Sequence, residues 1–423
     1  MLYDIGFFIF SLFYLPTLVF KGKLHKDFLE RFGRYDKAKR DALAQAKDAI
    51  WIQAVSVGEV ALCRDFVPLL KARFPGRTII FSTITKTGND LAKKIFAKDA
   101  IVIYFPLDFS FIVKKVIKLI RPKAYVMVET EIWPNFLKEI ERRAIAAILI
   151  NGRISDRSFG KYKIVKQFLR KILRNMNALC MQSKVDAGRV IELGARHERV
   201  KVTGNMKFDV QAKMAPVIGD NIRRELGMGE ADELLVAGST HEGEEETIIA
   251  AFKDLVEKFP TLKLLIAPRH IERVDRVEEI IKRFGFDPIR LSNLSGPWTL
   301  ATGPKVYILD TIGRLSDFYS IAAVVFIGGS LIKHGGQNPI EPAIYEKPVV
   351  FGYHMFNFKK ITEAFLAKGA AIRVNNSAEL GPVLYNLFAD KNKRLELGRA
   401  AKAVVIENQG ATEKNLNDIG RFI

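Results

Sequence analysis

Glu59 is the first residue whose type and position could do chemistry. It belongs to the segment Val55–Glu59, which directly follows an apolar run starting at Ile50. A general base needs one carboxylate held rigidly at a ligand site. A carboxylate in the first turn of a helix is also expected for structural reasons, because it interacts favourably with the helix dipole. The local sequence leaves both interpretations open.

A second carboxylate segment, Glu129 to Glu131, ends another apolar run, and Pro134 suits the first turn of a following helix. Charged residues are rarely buried without a partner, so Glu129 is expected to face a cation or a substrate. A salt bridge across the strand ends, to Lys207 or Arg153, is the structural alternative. Lys207 itself follows a Gly-Asn turn that is compatible with anion contact, although a solvated loop lysine is the simpler explanation.

The second half of the chain carries the features of a nucleotide site. Pro268 and Arg269 end an apolar run, which suits an arginine that recognises an anion with both arms of its guanidinium group. The segments Ala237–Thr240 and Asp310–Leu315 also read as turns between a strand and a helix. Gly and hydroxyl residues at a helix start can present N–H groups to a phosphate. A surface pair of Arg269 with Glu272 is the structural alternative.

The strongest of these segments follows the apolar run that ends at Ile327. Four glycines occur within the nine residues 328–336, and they allow a ligand to approach the backbone closely. Asn338 is predicted to cap the next helix, with Pro339 in its first position. Glu341 then lies one turn into that helix, where its carboxylate could accept hydrogen bonds from a ribose.

Short β-rich runs alternate with helical stretches from residue 50 onward, which predicts parallel sheets with helices on both faces. A chain of 423 residues is expected to form two domains. The polar segment Lys213–Glu233 is the predicted hinge. We therefore expect two consecutive doubly wound domains facing a cleft, with the last helix able to cross back to the first domain. Ser158–Met176 reads as one amphipathic stretch.

The run Ile5–Phe20 carries no charge, and the strongly basic stretch Lys21–Arg40 follows it. The run is short for a full span, and it contains Pro16, so a tilted span or an interfacial helix fits. A buried core helix is the alternative. The positions of the cations predict that the rest of the chain lies on the cytoplasmic side of a membrane.

The net charge of +19 is compatible with nucleic acid, an anionic lipid surface or an anionic substrate. No RNA-binding or zinc-finger signature accompanies the dispersed cations, and a lipid surface fits the apolar run better. The two cysteines exclude a disulfide framework, and no histidine pair has metal-ligand spacing on a helix. The sequence therefore predicts neither nucleic-acid binding nor a metal site, and we expect no cofactor.

Eight motifs together resemble the bacterial transferases of 3-deoxy-D-manno-octulosonic acid (Kdo). In chain order they are SVGE, VETEIWPN, NGRISDRS, GNMKFD, AGSTHEGEE, APRH, GGS and HGGQNPIEPA. The resemblance covers essentially the whole chain. It implies the GT-B fold, with two Rossmann-like domains facing a central cleft and an N-terminal membrane-anchor helix. The expected ranges are 1–22 for the anchor, 23–212 for acceptor binding and 213–423 for donor binding.

The resemblance also implies the reaction: an inverting, metal-independent transfer of Kdo from CMP-Kdo to the lipid A precursor, at the cytoplasmic face of the bacterial inner membrane. Glu59 would be the general base, and Glu129 and Lys207 would support the transition state. The residues that would hold CMP are Pro268, Arg269, Ile312, Gly313, Arg314, Asn338, Pro339, Ile340 and Glu341.

Two residues depart from the pattern of the family. Gln53 stands where many relatives have His, so no ionisable role is carried to that position. Arg314 occupies a place often held by Glu, which leaves backbone contacts as the expected contribution of its segment. Two other functions stay open from the sequence. They are another GT-B-type nucleotide-sugar transferase or epimerase, and a non-catalytic basic protein that binds lipid or nucleic acid.

Overall fold

The computed structural model describes residues 3–8, 26–209, 216–294 and 303–423. The chain divides into two compact units. Unit 1 consists of Met1–Asp209 together with Gln409–Ile423, and unit 2 consists of Val210–Asn408. Each unit contains one seven-stranded sheet in which paired strands run parallel. The predicted α/β fold with parallel sheets is confirmed.

The sheet of unit 1 is built from the short apolar runs of the first half of the chain. Its strands are β1 Ile50–Gln53, β2 Ile79–Thr83, β3 Ile101–Tyr104, β4 Ala124–Val128, β5 Ala146–Gly152, β6 Ala178–Met181 and β7 Val200–Val202. Their order in the sheet is β3-β2-β1-β4-β5-β6-β7, so the direction of winding reverses between β1 and β4. Ligands of doubly wound sheets bind outside the carboxyl ends of strands at such a reversal.

Helices cover both faces of this sheet. They span Lys37–Ala44, Val57–Leu62, Phe66–Arg73, Lys86–Phe96, Ser110–Ile120, Pro134–Arg142, Asp156–Ile164, Lys166–Leu173, Lys184–Glu192 and Ala411–Gly420, with 3₁₀ turns at Lys26–Phe32, His197–Arg199 and Met206–Phe208. The side chains of Trp51 and Ile80 point into one buried cluster, and those of Ile52 and Phe81 point into another. This alternation is expected of strands covered on both faces.

The last helix of the chain belongs to unit 1. Asp209 fixes its start, because its carboxylate accepts N–H bonds from Gly410 (2.7 Å) and Thr412 (2.5 Å). Ala411, Leu416 and Ile419 are buried in the same cluster as Ile52. The crossing back that the sequence allows is thus present, and unit 2 ends at Asn408 rather than at Ile423.

The predicted membrane segment Ile5–Phe20 lies outside the described residues except for its first four positions. Residues 3–8 are helical. Asp4 accepts hydrogen bonds from the N–H of Ser110 (2.8 Å) and from the side-chain amide of Asn135 (3.0 Å). Within the described ranges, no helix combines the length and the apolar character needed to cross a membrane.

Unit 2 repeats the architecture. Its strands are β8 Glu233–Thr240, β9 Leu262–Pro268, β10 Pro288–Arg290, β11 Val306–Ile308, β12 Val324–Ile327, β13 Val349–Phe351 and β14 Ile372–Arg373. The order is β10-β11-β9-β8-β12-β13-β14, with the reversal between β8 and β12. The sequence did not predict β10. Ala237–Thr240 lie inside β8, so they do not form the helix start that the sequence suggested.

The helices of unit 2 span Pro216–Glu225, Glu245–Val256, Val274–Arg283, Leu315–Ile321, Ile340–Ala343, Lys359–Ala367, Leu380–Ala389 and Lys391–Glu407, with 3₁₀ turns at Ile271–Arg273, Leu291–Asn293, Phe356–Phe358 and Ser377–Glu379. The helix Pro216–Glu225 occupies much of the segment that the sequence predicted as a hinge. In unit 1, the stretch read as one amphipathic helix from Ser158 to Met176 is broken into two helices at Val165.

Candidate active site

Glu59 lies at the start of the helix Val57–Leu62, directly after β1. Ser56 caps this helix, with its Oγ accepting the N–H of Glu59 at 3.4 Å and its hydroxyl donating to Oε1 of Glu59 at 2.9 Å. The N–H of Val55 donates to Oε2 of Glu59 at 2.6 Å. These reciprocal bonds form a capping arrangement and also hold the carboxylate in one position. The same contacts therefore fit both interpretations of Glu59, as a structural residue at a helix start and as a rigidly held general base.

The Glu59 carboxylate is more basic than an ordinary one. Burial is the largest cause of its raised pKa, and the negative charge of Glu129 raises it further. The N–H of Val55, the hydroxyl of Ser56 and the cation of Arg153 act in the opposite direction. A raised pKa strengthens a carboxylate as a proton acceptor.

Glu129 follows β4, which pairs with β1, so the two carboxylates lie at the winding reversal of the sheet. Its backbone has a φ of +56°, in the left-handed region that side chains other than glycine rarely adopt. The N–H of Glu129 donates to the carbonyl oxygen of Ile150 at 3.0 Å. Its Oε2 lies 3.0 Å from Nε of Arg153. The ion pair with Arg153 that the sequence suggested for Glu129 is therefore present.

Lys207 lies in the turn Met206–Phe208, and its N–H donates to Oδ1 of Asn205 at 3.0 Å. The neighbouring N–H of Met206 donates to Oδ1 of Asn151, near the end of β5. Burial lowers the pKa of Lys207, whereas the charges of Glu129 and Glu59 raise it. The three predicted catalytic residues are thus within electrostatic reach of one another.

Sequence reasoning did not assign a role to Glu131 or Asn151. Burial raises the pKa of Glu131 to about 7, and the charges of Glu59 and Glu129 add to this effect. Asn151 is fully buried, has a φ of +52°, and holds the turn that carries Lys207. The only signal for either residue was its position at the end of a predicted strand. Three carboxylates and two cations, Arg153 and Lys207, therefore form one charged cluster in unit 1.

The predicted donor residues of unit 2 begin with Pro268, the buried end of β9. Arg269 follows it, and its N–H donates to the carbonyl oxygen of Thr240 at 2.9 Å, beside the end of β8. The side chain of Arg269 is exposed. A guanidinium group in this position is available to a phosphate.

Three histidine rings meet near Arg269. The ring centroid of His241, after β8, lies 3.7 Å from that of His334 and 5.8 Å from that of His270. Burial lowers the pKa of His241 to about 4, and the neighbouring cationic groups add to this effect, so its ring is neutral at pH 7. In the part of the chain that the structure describes, no cluster of three or more His, Cys, Asp or Glu has the arrangement of a metal site.

The glycine-rich turn after β12 is occupied by a side chain of the protein itself. The Glu244 carboxylate accepts N–H bonds from Gly329 (2.6 Å), Ser330 (2.9 Å) and Leu331 (3.0 Å), and also from His241 (3.0 Å). Burial raises the pKa of Glu244, against the effect of these donors. The expectation that this turn offers its backbone to a ligand is therefore wrong for these three N–H groups.

Close packing within the chain explains two of the glycines. A Cβ atom on Gly328 would lie 2.3 Å from the carbonyl oxygen of Ser239, and one on Gly336 would lie 2.0 Å from Sδ of Met355. The first contact is with backbone, so a side chain at 328 would require the backbone to move. The second would require the Met355 side chain to move, and Gly336 also has a φ of +72°. The glycine pattern thus reflects the approach of β8 and the loop after β13 to this turn.

Asn338 caps the next turn, because its Oδ1 accepts the N–H of Ile340 at 3.1 Å. Its side-chain amide donates to Oε1 of Glu341 at 3.2 Å. The helix itself is short, Ile340–Ala343, and Pro339 directly precedes it instead of being its first residue. Burial raises the pKa of Tyr319, and the charge of Glu341 adds to this effect. The Tyr319 hydroxyl packs against Gly238 of β8. The Asn338–Glu341 segment therefore lies close to the end of β8.

The remaining predicted segment, Ile312–Arg314, follows β11. Ile312 is 84% exposed, and Gly313 has a φ of +96°. The guanidinium group of Arg314 forms two hydrogen bonds with the Glu225 carboxylate, at 2.7 and 2.6 Å. This pair gives the Arg314 side chain a structural partner within unit 2. The backbone of Ile312 and Gly313 is the part of the segment that could contact a ligand.

Comparison with known proteins identifies relatives along the chain. The family described as "3-Deoxy-D-manno-octulosonic-acid transferase (kdotransferase)" matches residues 26–210. The 3-deoxy-D-manno-octulosonic acid transferase of Haemophilus influenzae is 33% identical to this chain over 394 residues, which cover 92% of this chain and 89% of that protein.

Two solved structures share the fold. A glycosyltransferase from Rickettsia africae ESF-5 has a TM-score of 0.59 at 14% identity and covers 89% of this chain and 98% of its own. The UDP-GlcNAc 2-epimerase of Neisseria meningitidis has a TM-score of 0.59 at 11% identity, over 88% of this chain and 100% of its own. At these identities the similarity concerns the fold alone. Because one fold serves a transferase and an epimerase, it does not separate the two activities.

Proposed function

The chain belongs to the family of 3-deoxy-D-manno-octulosonic acid transferases, and we propose that it transfers Kdo from CMP-Kdo to the lipid A precursor, lipid IVA, during lipopolysaccharide biosynthesis. The observation that carries the proposal is the Glu59 carboxylate. Val55 and Ser56 hold it in place at the winding reversal of unit 1, and burial raises its pKa.

In the proposed reaction Glu59 accepts the proton of an acceptor hydroxyl group. The hydroxyl oxygen forms a bond to the anomeric carbon of Kdo, while the bond from that carbon to the phosphate oxygen breaks. CMP leaves with the electron pair of that bond. A single displacement inverts the configuration and needs one base, in contrast to the two carboxylates of a retaining glycosidase.

Glu129 and Lys207 support the transition state in this proposal. Lys207 is a half-buried lysine within electrostatic reach of both carboxylates, and Arg153 pairs with Glu129. Fixed charges in a partly buried site stabilise developing charge more strongly than charges in water do. We assign acceptor binding to unit 1, because the proposed base lies there.

Unit 2 would hold the donor through Pro268, Arg269, Ile312, Gly313, Arg314, Asn338, Pro339, Ile340 and Glu341. The exposed guanidinium of Arg269 suits the CMP phosphate. The Glu341 carboxylate, which accepts a hydrogen bond from Asn338, suits a ribose hydroxyl. Arg314 would contribute through its backbone, since its side chain pairs with Glu225. No metal ion is required in this scheme, because the Arg269 guanidinium would offset the negative charge of the phosphate.

We further propose that the protein works at the cytoplasmic face of the bacterial inner membrane. The acceptor is a lipid, and the uncharged run Ile5–Phe20 and the net charge of +19 support contact with an anionic bilayer. The strongly basic stretch that follows the run favours the cytoplasmic side.

An in vitro assay with CMP-Kdo and lipid IVA tests the proposal, with product mass as the readout. Glu59→Gln should lower kcat by at least 100-fold while CMP binding, measured by calorimetry, is retained. Glu198→Gln changes an exposed carboxylate of the same unit and should leave kcat unaltered. Full activity of Glu59→Gln would remove Glu59 from the chemistry. A folded, CMP-binding wild type that forms no product would favour a different nucleotide-sugar reaction.

A further inference from the structure

The two helices Asp156–Ile164 and Lys166–Leu173 meet at a corner that carries exposed apolar side chains. Ile164 is 85% exposed, Val165 47% and Phe168 45%. The N–H of Phe168 donates to the carbonyl oxygen of Val165 at 3.0 Å, so the three side chains lie within one turn of each other. We call these three residues the corner patch.

The stretch that carries the corner patch is rich in cations, one of which, Lys163, lies 3.9 Å from the Glu192 carboxylate. Residues 157–174 contain no Asp or Glu. The Lys and Arg residues of this stretch are Arg157, Lys161, Lys163, Lys166, Arg170, Lys171 and Arg174. All of them except the half-buried Lys166 are exposed. Exposed apolar side chains flanked along the chain by exposed cations match the surface of an anionic bilayer, whose acyl region lies beneath negative headgroups.

The same side of unit 1 carries the described start of the apolar N-terminal run. A groove of about 680 Å³ is bordered by Phe168 and Lys171 and also by Tyr3. The helix of residues 3–8 is held there by the hydrogen bonds of Asp4, and its Ile5 and Phe8 side chains are more than half exposed. The corner patch and the start of the apolar run therefore border one surface.

We propose that the corner patch inserts into the headgroup region of an anionic phospholipid bilayer. It is a second membrane contact, additional to the N-terminal run. This inference rests on the membrane association included in the proposed function. The break at Val165 places Ile164 at the last position of the first helix and Phe168 in the first turn of the second. A basic face that binds RNA would need cations but would have no use for three exposed apolar side chains.

The test uses the full chain with an environment-sensitive dye on Ile164→Cys. The two native cysteines, Cys63 and Cys180, are fully buried, so the dye reacts at the new thiol. Ile406→Cys, at a 53% exposed position in unit 2, is the matched control. With vesicles of phosphatidylglycerol and phosphatidylcholine, the dye at 164 should shift its emission to the blue and be quenched by brominated lipid. The dye at 406 should show neither effect.

A double variant, Ile164→Asp with Phe168→Asp, should weaken vesicle binding at least 10-fold, whereas Ile406→Asp should not. Its transfer activity in detergent should equal that of the wild type, which also shows that it folds. If the wild type sediments with vesicles but the dye at 164 stays in water, the corner patch is not a membrane contact. If the wild type does not bind vesicles at all, both membrane statements are wrong. The detergent assay would still test the transferase separately.

Discussion

Arg153 Nε lies 3.0 Å from Oε2 of Glu129 and joins the ends of β5 and β4 by an ion pair. Glu129 in turn raises the pKa of Glu59, whereas Arg153 lowers it. The basicity of the proposed base therefore depends on a cation that follows a different strand, β5. This relationship leads to the first prediction.

Arg153→Met should raise the pKa of Glu59 further, because it removes a positive charge and leaves Glu129 unpaired. A base must be unprotonated to act, so the rising limb of kcat/KM against pH should move to higher pH. At pH 7 kcat/KM should fall by up to about 10-fold for each pKa unit by which the limb moves. Arg64→Met, at an exposed position of the same unit, is the control. An unchanged pH profile in Arg153→Met would contradict the electrostatic link.

Glu131→Gln should change the dependence of stability on pH. The pKa of Glu131 is about 7 in the folded protein and about 4.5 in the unfolded chain. The protonated carboxyl therefore stabilises the fold below pH 4.5, and this contribution is lost as the pH rises to about 7. The glutamine variant stays neutral at every pH. Its free energy of unfolding should therefore rise relative to that of the wild type by roughly 2 kcal/mol between pH 4.5 and 8, after allowance for solvent screening.

Urea unfolding of both proteins at several pH values measures this difference. Glu198→Gln again provides the control, since its exposed carboxylate should leave the pH dependence nearly parallel to that of the wild type. A constant difference between Glu131→Gln and the wild type across this pH range would disprove the elevated pKa.

Glu244→Gln should destabilise unit 2 by about 2–4 kcal/mol, because an amide cannot accept all four N–H bonds that the carboxylate accepts. Glu242→Gln, at an exposed position nearby, should lower the free energy of unfolding by less than about 0.5 kcal/mol. Hydrogen exchange at Gly329, Ser330 and Leu331 reports the loss locally and should accelerate only in the first variant. Equal protection in both variants would mean that the carboxylate does not hold this turn.

Arg269 and Arg314 should differ in their contributions to CMP binding. Arg269→Ala should weaken the binding of CMP at least 10-fold, as expected for the loss of a charged hydrogen bond to phosphate. Arg314→Ala should change CMP affinity less than about 2-fold and lower stability by up to ~1 kcal/mol, because its partly exposed guanidinium pairs with Glu225. Isothermal titration with CMP compares the two. A large loss in Arg314→Ala would show that the Glu225 pair opens on binding.

The sheets were predictable because their strands are apolar runs buried on both faces. β10 was not, because Pro288–Arg290 is three residues long, only half-buried, and shows no apolar alternation. Motif residues at strand ends identified Glu59, Glu129 and Arg269 as candidates. Their partners were harder to predict, because a partner distant in sequence leaves no local pattern.

The glycine-rich turn illustrates the same limit. Its glycine content indicates that another group approaches the backbone closely, but it does not identify that group. Gly329 meets Glu244, a residue 85 positions earlier in the chain. Gly328 meets the backbone of β8. Sequence spacing therefore predicted a crowded turn correctly and assigned the crowding to a ligand, whereas the structure assigns much of it to the chain itself.

The return of the last helix to unit 1 has a consequence for biosynthesis. During translation, all of unit 2 leaves the ribosome before unit 1 has received its final segment, although most of unit 1 was made first. Until Ala411, Leu416 and Ile419 arrive, one face of the first sheet lacks part of its cover. A nascent chain arrested near residue 408 would thus expose apolar surface in the half that was synthesised earliest. A premature stop codon close to the end of the gene would therefore damage unit 1, most of which is encoded by the first half of the gene.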